Sequence, residues 1–84
     1  MEKEIRIIGI LIKDRQKEAG EVQKALTSYG CSIKTRLGLH EVNENYCSNA
    51  GLILLELTGD YAEMDNLENA LFKIEGIEVR KMKF

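Results

Sequence analysis

Eighty-four residues, 44% apolar and 31% charged, suit one small globular domain over residues 1–84 and exclude a disordered chain. The net charge of −2 excludes a domain built to hold a nucleic-acid backbone, which needs a basic stripe, and no direct nucleic-acid binding is expected. A domain of this size buries only about 60–65% of its unfolded surface, so it gains from association.

No apolar run approaches the roughly 20 residues of a membrane span, so no membrane partner is expected. No secretory leader is expected ahead of the first apolar run, and Cys31 and Cys47 make no disulfide framework. A reducing, cytoplasmic location is therefore expected.

The first element is Ile5–Ile12 (IRIIGILI), β-branched, short, and apolar on both faces. Ile5, Ile7, Gly9 and Leu11 share one face; Ile8, Ile10 and Ile12 share the other. Asp14 is placed to cap a helix whose first turn holds Glu18 at the positive end of its dipole. Ala19, Val22, Leu26 and Tyr29 form its apolar stripe, and Gly30 is the expected left-handed stop. Cys31, next in line, reads as a small buried hydrophobe.

A second strand spans about Ser32 to Glu41, with Ile33, Leu37 and Leu39 alternating against Lys34, Arg36, Gly38 and His40. The polar, Asn-rich Glu41–Ala50 predicts a long hairpin loop. Leu52–Leu57 is the third strand, apolar on both faces like the first. Asp60 with Glu63 matches a capping pattern, Met64, Leu67, Leu71 and Ile74 give a second helical stripe, and Gly76 ends it. Ile77–Phe84 alternates as the last strand.

This order predicts an α+β fold, a ferredoxin-like βαββαβ sandwich: a four-stranded antiparallel sheet with two helices on one face. The two strands apolar on both sides are the two that this topology makes central. Two helices cover only one sheet face. Four or five uncovered Ile or Leu side chains forgo about 6–15 kcal/mol, comparable to the stability of a small domain. A homodimer or homotetramer is therefore expected, with Ile8, Ile10, Ile12, Leu52 and Leu54 at its interface.

Residue sets with catalytic chemistry are missing from the pattern. The glycines are singletons, so no phosphate-cradling loop exists. Tyr29, Tyr46, Tyr61, Phe72 and Phe84 lie outside the central strands, so the base-stacking ladder of RNA-binding relatives of this topology is absent. Lys13–Lys17 (KDRQK) lacks the Arg-bearing glycine loop of acylphosphatase-type enzymes. His40 and Cys47 are the two soft metal-ligand candidates, but three or four ligands are needed, so no metal site and no cofactor are expected.

Four segments, Ile12–Ala25 (IKDRQKEAGEVQKA), Ile33–Val42 (IKTRLGLHEV), Gly51–Gly59 (GLILLELTG) and Ile74–Val79 (IEGIEV), resemble the family of proposed iron-only hydrogenase system regulators. These are short ACT-like domains, similar also to the effector domain of nickel-responsive regulators. The resemblance implies an ACT-like sheet, oligomerisation and regulation through a small-molecule effector or a protein partner, with no catalysis. It places a ligand site between subunits, near Asp14, Arg15 and Glu18 and the segment holding His40, Tyr46 and Cys47. Departures are plain. Gln16 and Lys17 stand where ACT domains carry Pro and Gly after Asp-Arg, and Gly38 with His40 replaces the His-x-His strand of the nickel regulators. Two other readings remain open: an adaptor that docks a protein on its open sheet face, and a small metal-binding protein.

Overall fold

The computed structural model describes the backbone at residues 4–42 and 47–84, and the side chains there other than those of 15, 16, 39–42 and 47–50. Its elements are β1 (Arg6–Ile12), α1 (Arg15–Ser28), β2 (Ile33–Val42), β3 (Cys47–Leu57), α2 (Tyr61–Phe72) and β4 (Ile77–Lys83). The strands form one sheet in the order β2-β3-β1-β4, and every neighbouring pair is antiparallel. This is the expected ferredoxin-like βαββαβ fold, with the doubly apolar strands β1 and β3 at the centre.

The core lies between one sheet face and the two helices. Ile8, Ile10 and Ile12 of β1 and Leu55 and Leu57 of β3 meet Val22 and Leu26 of α1 and Met64, Leu67 and Leu71 of α2. Register explains the grouping: Ile8 lies opposite Leu55 and Ile10 opposite both Ile53 and Val79, so these side chains share a face. The interface expectation for Ile8, Ile10 and Ile12 is thereby corrected. They are at most 3% exposed, inside the molecule's own core. Alternation separated two faces of β1, but both are apolar, so it did not tell which one the helices take. The uncovered face carries Ile7, Gly9 and Leu11, together with Leu52 and Leu54 across the register.

One turn also differs from expectation. Gly30 is not a left-handed stop; it opens a 3-10 turn over Gly30–Ser32, closed by Ser32 N–H donating to Tyr29 O at 2.9 Å. That turn buries Ser32 and leaves Cys31 exposed, so Cys31 is no core hydrophobe. Gly59 and Gly76 are the described residues with positive φ, at 88° and 87°. Gly76 thus ends the α2 region in the left-handed conformation that suits glycine.

Of the expected loop Glu41–Ala50, residues 41–42 and 47–50 are strand, and residues 43–46 lie outside the described residues. β2 runs to Val42 and β3 begins at Cys47, with Val42 opposite Cys47. Pairing of β3 with β1 stops at Gly51 opposite Ile12, so beyond that point β2 and β3 continue as a two-stranded arm. A strand outside the core needs no apolar face, and its polar composition therefore resembled a loop.

Candidate functional site

The two helices cover one face of the sheet and leave the other uncovered. By register, Leu37 lies beside Leu54, Gly9 beside Leu54 and Arg80, and Ile7 beside Glu56 and Met82. Exposed large apolar side chains concentrate here: Leu37 is 50% exposed, Met82 54% and Phe84 72%. Ile5, also exposed, exchanges both backbone hydrogen bonds with Phe84, extending the β1–β4 ladder. Glu56 accepts from Thr35 Oγ1 at 3.2 Å and pairs with Lys34 Nζ at 3.7 Å, while Arg80 stands 3.8 Å from Glu78. The face is apolar with two charged corners.

At one end of the sheet stand the residues singled out from the sequence. Asp14 follows β1, and its O accepts from Glu18 N–H at 3.0 Å while its own N–H donates to Glu18 Oε1 at 3.2 Å. Glu18 is buried and its carboxylate also abuts Gly76. It therefore locks the start of α1 to the turn before β4. His40 lies opposite Gly51, which lies opposite Ile12, so the backbones of His40 and Asp14 are brought to the same end of the sheet. Cys47 sits farther out, opposite Val42 on the arm. The side chains of Arg15, His40 and Cys47, and Tyr46 altogether, lie outside the described residues. Among the described residues, no group of three or more His, Cys, Asp or Glu side chains is arranged to hold a metal ion.

At the opposite end lies a cleft of about 630 Å³, walled by Ile5, Leu57, Tyr61 and Met64 and rimmed by Glu4, Lys34, Glu56 and Asp60. Its carboxylates are engaged. Asp60 caps α2 by accepting from Ala62 N–H at 2.9 Å, and Glu4 pairs with Arg6 and Lys83. Tyr61 Oη accepts from Glu4 N–H at 2.9 Å.

Beside that cleft is a charged cluster that pattern reading missed. Arg6 is 5% exposed on the helix-facing side of β1, in the alternation of Ile8, Ile10 and Ile12. Its guanidinium donates to Glu4, Asp65 and Glu68, each at 2.6 Å, and lies 5.6 Å from the Tyr61 ring centroid. Lys81 donates to the other oxygen of Glu68 at 2.8 Å. Burial works against the Arg6 charge, yet its hydrogen bonds to Glu4, Asp65 and Glu68 outweigh it and raise its pKa. The same hydrogen bonds from Arg6 hold the Glu4 and Asp65 carboxyls below their ordinary range. The signal was present: a charge at an inward strand position, and Glu68 four residues after Met64 on the stripe of α2. The cluster fastens α2 to β1.

A family model described as TM1266-like, a proposed iron-only hydrogenase system regulator, matches residues 4–81. Among solved structures, the uncharacterized protein TM1266 from Thermotoga maritima is 26% identical, with a TM-score of 0.79 over 98% of this chain and 99% of that one. CPII, a nitrogen regulatory PII-like protein from Thiomonas intermedia K12 bound to ADP, AMP and bicarbonate, aligns at TM-score 0.56 and 11% identity, over 98% and 93% of the two chains. Formyltetrahydrofolate deformylase from Pseudomonas putida KT2440 aligns at 0.55 and 10%, over 93% of this chain and 28% of the enzyme. The last two share the fold alone. No curated protein sequence matches the chain.

Proposed function

The chain belongs to the TM1266-like family of proposed iron-only hydrogenase system regulators, and from that premise we propose a non-catalytic, effector-sensing regulatory domain, one ACT-like unit that works as a homo-oligomer. The observation that carries this reading is the uncovered sheet face. Its half-buried Ile7, Leu11, Leu52 and Leu54 and exposed Leu37 and Met82 favour a second protein surface over water. Regulation by association fits such a surface, whereas the engaged carboxylates elsewhere supply neither an acid–base pair nor an activated nucleophile.

The effector, in this reading, binds where Asp14 and Arg15 meet the segment of His40, Tyr46 and Cys47, at or near a subunit boundary. Glu18 serves there as the support that fixes the α1 start. Paired cysteines are not called for, in keeping with a reducing cytoplasm. Among the described residues, no helix is long and apolar enough to cross a membrane.

Thermal-shift measurements with amino acids, nucleotides and divalent cations test the effector. A ligand at 100 times its dissociation constant adds about 2.7 kcal/mol, and that gain is expected to vanish in Asp14→Ala or His40→Ala. Nucleotides belong in the panel because a PII-like protein of this fold holds ADP and AMP. Indifference to every compound would replace effector sensing with the adaptor reading, in which the open face docks a different protein. A response to divalent cations alone, lost in His40→Ala, would favour the metal-binding reading.

A further inference from the structure

The charges and apolar groups of the open sheet face are laid out diagonally, and this layout selects one way for two copies to meet. With strands about 4.8 Å apart and same-face residues about 6.8 Å apart along each strand, the face forms a grid. Phe84, Met82 and Ile7 occupy one corner, and the apolar stripe runs from there past Gly9 to Leu54, Leu52 and Leu37 at the other. Thr35 and Glu56 fill one of the two remaining corners; Arg80 and Glu78 fill the last.

We propose that a second copy of this chain docks on this face about a twofold axis lying along the apolar stripe, with Glu56 of each copy paired to Arg80 of the other. That axis carries the stripe onto itself and exchanges the charged corners, so the partner's Arg80 comes over Glu56 and the reciprocal pair forms at the same time. The alternatives are worse. An axis along the strands sets Ile7 over the partner's Glu56 and Leu37 over the partner's Arg80. An axis across the strands sets Arg80 over the partner's Arg80.

The stripe makes about 40° with the strands, so the two sheets cross at about 80°, close to the orthogonal class of sheet packing. Arg80 is available: its side chain is 78% exposed, held by a 3.8 Å approach to Glu78 and a hydrogen bond to its own neighbour's carbonyl, Val79 O. Gly9, in the middle of the stripe, removes a side chain where the sheets approach most closely; an added Cβ there would meet Leu54 alone, at 3.7 Å. Four strands by seven residues project to about 440 Å² per copy, or about 900 Å² for both. Side-chain relief raises the accessible area toward the roughly 1,200 Å² at which specific interfaces begin.

The inference rests on the homo-oligomeric reading above, and sedimentation equilibrium on the full chain separates the two. The wild type is expected to associate at micromolar concentration. Arg80→Glu and Glu56→Arg are each expected to weaken association at least about tenfold, because each places like charges at both pairs. An equimolar mixture of the two variants restores association, since opposite charges then meet at both pairs, and that recovery shows both variants to be folded. A wild type that stays monomeric at about 100 μM overturns this inference and the homo-oligomeric reading together. A wild-type dimer indifferent to the single reversals, or folded variants that fail to recover on mixing, overturns the diagonal pairing alone.

Discussion

The Glu18 carboxylate lies directly against Gly76, in the space where a side chain on residue 76 would begin. Glu18 caps the start of α1 through the Asp14 N–H, and Gly76 turns the chain into β4 with φ +87°. One carboxylate thus joins the first helix to the last strand. Gly76→Ala combines left-handed strain of about 1–2 kcal/mol with displacement of Glu18. The expected result is a loss of at least that size in urea unfolding at pH 7. Gly20→Ala is the matched control: the site is open, within α1, and a gain of about 0.5–1 kcal/mol is expected.

Asp60 supplies the second helix with its cap, accepting from Ala62 N–H at 2.9 Å with extended backbone dihedrals. Asp60→Ala leaves that donor without its partner, and a loss of about 1 kcal/mol is expected. Asp60→Asn keeps an acceptor and should recover most of it. Equal losses for the two variants would mean that charge rather than hydrogen bonding fastens the helix start.

Association through the open face makes stability depend on protein concentration. Dimerisation of folded copies is expected to raise Tm as the protein concentration goes from low to high micromolar. Leu37→Lys puts a charge at a half-exposed position of the face while leaving the core untouched. The variant is expected to keep its circular dichroism spectrum and lose the concentration dependence. A Tm constant with concentration in the wild type would remove the basis for an oligomer.

Much of this fold was legible because β1 and β3 are apolar on both sides and the helical stripes end at glycines. The order of elements then left one economical topology. The face of β1 that meets the helices was not legible, because Ile7 and Leu11 are as apolar as Ile8 and Ile10. A mark did exist: Arg6 and Lys81, spaced evenly with the inward residues, need acidic partners, and α2 carries Asp65 and Glu68. The arm was hidden because polar residues pair in an uncovered ribbon as readily as they line a loop. The candidate effector residues rest on the resemblance; of them, the structure explains Glu18 as a support, and it brings Asp14 and the His40 backbone to one end of the sheet.

Arg6 is the buried centre of a cluster whose removal has opposite consequences for charge and for volume. Arg6→Ala leaves buried Glu68 with Lys81 alone and opens a cavity under α2, so a loss of about 3 kcal/mol is expected. Arg6→Met refills the space with apolar atoms but leaves Glu68 equally short of its partner, so it should recover only the cavity part of that loss. The pH dependence tells the two contributions apart. Glu4 and Asp65 are held below their ordinary range by hydrogen bonds from Arg6. The unfolded chain therefore binds more protons than the folded one as pH falls through about 4. The stabilisation from these carboxylates is complete above that value and is lost as pH drops through their lowered folded pKa values. Urea midpoints at pH 7, 5 and 3 should be level between 7 and 5 and fall by 3 in the wild type. In Arg6→Met, where the two carboxyls return toward ordinary behaviour, the fall should be shallower; an identical fall would show that other carboxylates govern the acid limb.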